Sequence, residues 1–321
     1  MTTTFKTGLK ALVAAFSLTL AGAAQAQIAQ PIRIIFPFAP GGGGDGLARL
    51  IAEAVRKDSG EQVIVENRVG ADGRIGVRAG ITAAADGRTL LFSPIAPIVI
   101  HPTIYPDLQY NPLTDLKPIS LVARFEYALS TGPLTSAKEL PDAVVWLRQH
   151  PKNGAFGSPG NGGIPQFLGI LFGEQAKLDI RHVPYRGSMP ILNDVAAGQV
   201  ALGVTPTSDA VALHEGNKIR IVATSGTKRS TLLPDVPTFS ELGYKLTGDG
   251  WYSLYAPQGT PDEIIQKYSA LVAAAVKSPE AQNSFGRLGF DLVGSTPQEL
   301  SDIQKAAFEQ WEAPAKQFRI E

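Results

Sequence analysis

The sequence predicts an α/β protein with a mostly parallel sheet, large enough for two lobes. Three observations point there. Between Ile32 and Phe92, strand-length apolar runs alternate with helix-length amphipathic ones, and this β-α-β-α-β order gives parallel strands with helices on both faces. A glycine-rich loop that ends a strand and opens a helix occurs twice, after Phe38 and again after Phe156. Finally, 321 residues are long for one hydrophobic core.

The first unit sets the pattern. Residues 32–38 form a β-branched and aromatic run bounded by Pro31 and Pro40, a buried strand. Gly41, Gly42, Gly43 and Gly44 then make a turn that a residue with a Cβ could not follow freely. Asp45 is placed to cap a helix in which Leu47, Leu50, Ile51, Ala54 and Val55 recur at helical spacing. Such a loop offers unpaired backbone N–H groups and the positive end of a helix dipole. That makes an anion site.

The remaining elements follow in order. Residues 62–66 read as a strand, 67–73 as a polar turn, 75–84 as a helix and 88–92 as a strand. Ligands of open α/β sheets sit beyond the carboxyl ends of strands, which selects residues 40–45 and the loop that begins at Ser93. Residues 102–118 are proline-rich and irregular, 119–130 a long strand, and 136–149 a helix. The second glycine loop, with Ser158, Gly160, Asn161, Gly162 and Gly163, opens a helix at 164–176. Strands at 180–184, 200–205, 219–224, 251–256 and 290–293 follow, with helices at 189–197 and 208–214 among them. Thr260 is the expected N-cap of helix 261–276, with Pro261 at its first position. Thr296 and Glu299 form a capping box for the terminal helix.

Composition narrows the function. The 29 basic and 29 acidic residues balance, which removes the case for nucleic acid or an anionic membrane surface. The absence of cysteine excludes disulfides, thiolate zinc sites and a cysteine nucleophile. His101, His150, His182 and His214 lack metal-ligand spacing, so no metal is expected. At the N-terminus, Lys6 and Lys10 precede an apolar run at 11–23 and the small-x-small site Ala24-Gln25-Ala26. The run is shorter than the roughly 20 residues a membrane span needs. Residues 1–26 therefore read as a secretory signal peptide, with the mature chain starting near Gln27.

The glycine loop admits more than one chemistry. No Lys-Ser/Thr follows it, so a P-loop is excluded. Gly41, Gly43 and Gly46 satisfy G-x-G-x-x-G, and Glu66 stands about where a ribose-binding acid would lie. The alternative is therefore an exported nucleotide-cofactor oxidoreductase; a tight turn with no ligand is a third reading. Ser158 lacks the glycine that a nucleophile elbow requires two residues before it, and the sequence places no histidine as its base.

The ordered segments FPFAPGGGGDGLARLIAEAV, VIVENRVGADGRIG, DGRTLLF, GSPGNGGIPQFLGILF, VPYRGSMPILNDVAAGQV, RIVATSGTKRSTLLPDVPTFSELGY and WYSLYAPQGTP cover nearly all of the mature chain. Together they resemble the substrate-binding proteins of tripartite tricarboxylate transporters, the Bug family. The resemblance implies a two-lobed periplasmic binding protein of Venus-flytrap form that closes on a small carboxylate, catalyses nothing and uses no cofactor. It would act as a monomer and deliver its ligand to membrane permease subunits. Lobe one would be residues 27–123 plus 250–321 and lobe two 124–249, with a hinge of two crossing strands at 121–127 and 248–254. Carried over residue by residue, the ligand loops are Pro40, Gly41, Gly42, Gly43, Gly44 and Asp45, then Ser93, then Ser158 with Gly160 to Gly163. Thr205 stands where an aspartate is usual, Gln166 where a histidine is common, and Gly163 where a serine or threonine is common. With Thr205 neutral and Ser208 close behind it, a cleft without an opposing carboxylate is expected to prefer a dicarboxylate that has no amino group.

Overall fold

The computed structural model describes residues 30–318, and the expected signal peptide lies outside them. Strand β1 (Ile32–Phe36) stops short of its apolar run because Pro37 has no N–H to give a ladder. It pairs in parallel with β2 (Val63–Asn67) on one side and β3 (Thr89–Pro94) on the other. Helices α1 (Gly43–Ser59) and α2 (Arg74–Ile81) make the crossovers. A π-helical turn at Ala96–Ile100 follows β3, and the proline-rich stretch 102–118 is more ordered than expected, with short helices at His101–Ile104 and Pro112–Asp115.

Strand β4 (Leu116–Thr131) runs 16 residues and absorbs Pro118 at a shift of register. The next helix, α3 (Leu140–Gln149), starts later than predicted, since Ser136 has φ +53°, incompatible with helix. Then come β5 (Ala155–Pro159), α4 (Ile164–Ala176), β6 (Arg181–Tyr185), α5 (Ser188–Ala196), β7 (Leu202–Pro206), α6 (Thr207–Glu215) and β8 (Arg220–Thr224). After an irregular stretch, β9 (Asp249–Pro257), α7 (Asp262–Lys277), α8 (Pro279–Phe285), β10 (Asp291–Leu292) and α9 (Pro297–Lys316) complete the chain. Thr260 is not the cap of α7: its hydroxyl donates back to the Pro257 carbonyl at 2.8 Å, and Pro261 takes the cap position. The capping box of α9 forms as read, with both of its hydrogen bonds present.

The strand order is β2-β1-β3-β9-β4-β7-β5-β6, with β8 and β10 also paired to β4. β4 organises both halves. From Leu116 to Glu126 it lies antiparallel to β9, and from Tyr127 to Thr131 it lies between β7 and β8. At the changeover Phe125 stacks on Tyr252, ring centroids 4.8 Å apart. The parallel sets β2-β1-β3 and β6-β5-β7 give a two-lobed fold in which each lobe turns strand ends and helix heads toward one cleft.

Candidate ligand-binding cleft

The first glycine loop is built from inside. Gly41 takes φ +97°, a left-handed turn that favours glycine, and Gly42 is the cap of α1. Asp45 is therefore not the N-cap. Its carboxylate, 4% exposed, accepts from the Gly41 N–H (3.2 Å), the Asn67 amide (2.9 Å) and the Arg49 guanidinium (2.9 Å). Burial pushes its carboxyl up, but Arg49, Asn67 and the Gly41 amide outweigh this and hold it below the usual range. Asp45 fastens the loop; it does not face the cleft.

The cleft beyond that loop encloses about 690 Å³ of empty space, its open mouth included. Phe36, Phe125, Tyr127 and Tyr252 form an aromatic floor, and Ile164, Pro165, Met189 and Pro190 close it from the second lobe. Gly42 and Gly44 line one wall, while Gly163 and Ile164 bring the head of α4 to the other. Asp209, in the first turn of α6, reaches across from the second lobe. Its Oδ1 accepts the Gly43 N–H at 2.7 Å. The head of α1 thus already holds a carboxylate, and that carboxylate belongs to the protein. Burial raises the Asp209 carboxyl above its ordinary value, against hydrogen bonds from Ser188, Gly43 and Ser208.

This corrects the expectation of a cleft without an opposing carboxylate. Thr205 is neutral, as read, but fully buried on β7 with no partner for its hydroxyl. The charge sits four residues later. Sequence reasoning at the strand end selects Thr205 and not Asp209; the signal for Asp209 is an acid in the first turn of the helix that follows a cleft-facing strand. Ser208 lies beside it, Oγ 3.5 Å from Asp209 Oδ1.

The second glycine loop is mostly committed to the protein. The Gly160 N–H donates to the Tyr185 carbonyl (2.8 Å), Asn161 N–H to Asp72 (2.9 Å), and Gly162 N–H to the Gln166 side chain (2.6 Å). Of this loop's predicted ligand residues, Gly163 alone lines the cleft. The Asp72 contact bridges the lobes. Asp72 also accepts from Tyr105 at 3.0 Å, and the Arg74 guanidinium lies 3.7 Å above the Tyr105 ring. His101, fully buried, contacts the Asn161 carbonyl through Nε2 at 3.3 Å, and burial lowers its pKa to about 4.

Ser93 and Ser158 are buried away from the cleft. Ser93 donates to the Pro94 carbonyl at 3.1 Å. Ser158 does have a histidine neighbour, His182, 2.7 Å away on the adjacent strand β6. Its proton serves the Gly160 carbonyl (3.0 Å), which leaves its oxygen to accept from Nε2. A serine 1% exposed and so oriented is a structural link. The dinucleotide reading loses its ribose partner as well, since Glu66 is tied to Arg68 at 2.6 Å and Arg33 at 3.6 Å. A pyrophosphate at this loop would also meet Asp209.

Residues 47–318 match the family model of the tripartite tricarboxylate transporter family receptor. The chain belongs to that family. Solved structures similar to this tripartite tricarboxylate receptor include the periplasmic binding protein BugD, with TM-score 0.85 and 28% identity over 90% of this chain and 97% of that one. MatC from Rhodopseudomonas palustris, with bound malate, has TM-score 0.83 and 27% identity over 89% and 98%. Rpa4515 from R. palustris, with adipate, has TM-score 0.84 and 30% identity over 89% and 96%. The receptor has the two-lobed fold of periplasmic binding proteins, and its family and fold are those of substrate-binding proteins.

Proposed function

We propose that this protein is an exported solute-binding protein. It captures a small organic carboxylate between its lobes in the periplasm and delivers it to the membrane subunits of a tripartite transporter. It works as a monomer, without catalysis and without a cofactor. The observation that carries this reading is the Asp209 carboxylate on the Gly43 amide at 2.7 Å: the head of α1 is a seat for a carboxylate. Lys6, Lys10 and the Ala24-Gln25-Ala26 site support export.

The lobes in this reading are residues 27–123 with 250–321, and residues 124–249. What supports the division is the antiparallel pairing of β4 with β9, which brings Glu126 opposite Asp249 where the chain would pass between lobes. A dicarboxylate is favoured by the malate and adipate of the two relatives and by the second helix head, at Gly163 and Ile164. Gly42 and Gly44 would take one end and the head of α4 the other.

A thermal-shift screen of the purified protein against mono-, di- and tricarboxylates tests this. Ligand at about 100 times its dissociation constant should add about 2.7 kcal/mol of stability. Stabilisation by no carboxylate would overturn the reading.

A further inference from the structure

We propose that Asp209 reads a hydrogen-bond-donating substituent carried by the ligand, an ammonium ahead of a hydroxyl. The inference rests on the carboxylate-receptor reading and narrows its ligand class. It replaces the expectation of a ligand without an amino group.

Among the described residues that line the cleft, Asp209 is the one charged side chain; no Lys, Arg or His joins it. Its three donors, the Gly43 amide and the hydroxyls of Ser188 and Ser208, are all neutral. A carboxylate offers about four acceptor positions, so these donors leave room for another. A negative charge drawn out of water without a countercharge is costly, and the walls around it are aromatic rings, prolines and a methionine. The helix head and neutral donors face the charge, but no cationic side chain of the cleft lining balances it. The ligand is the remaining source of a positive or donating group.

The geometry of the seat sharpens the argument. A ligand carboxylate on the amides at Gly42 and Gly44 would lie beside Asp209, because a Cβ on Gly42 would stand only 3.4 Å from Asp209 Oδ2. Two adjacent carboxylates in a partly dry cleft repel each other strongly. An ammonium close to the ligand carboxylate turns that repulsion into two attractions. A hydroxyl there donates one hydrogen bond without cancelling charge. A bare methylene leaves the repulsion in place.

Binding of two matched series to the purified protein tests this by calorimetry: succinate, malate and aspartate, then propionate, lactate and alanine. Within a series that binds, affinity should rise in the order given, by about tenfold or more from the unsubstituted to the amino member. Asp209→Asn keeps the shape and removes the charge, and it should flatten the order. The order in the unmodified protein is decisive by itself, should that variant fail to fold. The proposal is overturned if succinate binds as tightly as malate and aspartate. It is equally overturned if an unsubstituted carboxylate outside the series binds tighter than every substituted one, or if Asp209→Asn keeps the original order. Failure of every carboxylate to bind would instead overturn the receptor reading beneath it.

Discussion

One methyl group separates the glycines of the first loop. A Cβ on Gly44 would lie 2.6 Å from the Tyr252 ring and 2.8 Å from the Phe36 ring, both part of the cleft floor. A Cβ on Gly42 would meet nothing closer than 3.4 Å. Gly44→Ala should therefore cost about 1–3 kcal/mol from overpacking, and Gly42→Ala much less. Urea unfolding of the two variants checks this, and equal losses would remove the packing argument. The need for glycine here was legible in the run of four, but its cause was not. Only Gly41 is required for its backbone angle; Gly43 and Gly44 are required because Phe290 and Tyr252, far along the chain, press on them. Asp209 is only half legible, for a related reason: its place in a first helical turn shows in the sequence, its partner does not. Its meaning depends on Gly43, 166 positions away, and no local pattern announces that distance.

At the scale of elements, the contact between the Asp72 turn and the Asn161 loop is a clasp between the segment after β2 and the segment after β5. Asp72 adopts φ +56°, which aspartate tolerates better than most residues, and this aims its carboxylate at the Asn161 amide. If the lobes close on ligand, as proposed above, closure makes this hydrogen bond and opening breaks it. Asp72→Ala should speed ligand release and weaken affinity by about tenfold, the value of one hydrogen bond to a charged group. Stopped-flow dissociation rates would show it, and an unchanged rate would mean the clasp contributes nothing to closure. Most elements were readable from apolar spacing and turn residues: α4 runs from Ile164 to Ala176 as predicted, and the capping box of α9 is intact. The misses fall where a local rule was overridden. Pro118 predicts the end of a loop, yet β4 tolerates it at a shift of register, and the spacing that predicts a helix from Ser136 meets a φ there that forbids it. The second glycine loop looked like a twin of the first, but three of its amides are spent on Tyr185, Asp72 and Gln166.

At the scale of the molecule, the strand order sets a sequence of events in time. β9 lies between β3 and β4, so the sheet of the first lobe lacks its middle strand until Asp249–Pro257 is available. The second lobe has no such gap: β5, β6, β7 and β8 follow β4 in one stretch of chain. Contacts that close shorter loops form sooner, so the second lobe should fold first and the first lobe should wait. Pulsed hydrogen exchange during refolding should find the amides of β5 and β7 protected before those of β1 and β3; the reverse order would contradict this. The wait has a further result for the growing chain. Tyr252, which presses against Gly44, arrives on the same late strand, and Phe290, which presses against Gly43, arrives later still. An unfinished chain therefore has no formed seat at the head of α1, and a ligand cannot act as a template for folding. Ligand should slow the unfolding of the finished protein and leave its rate of folding unchanged.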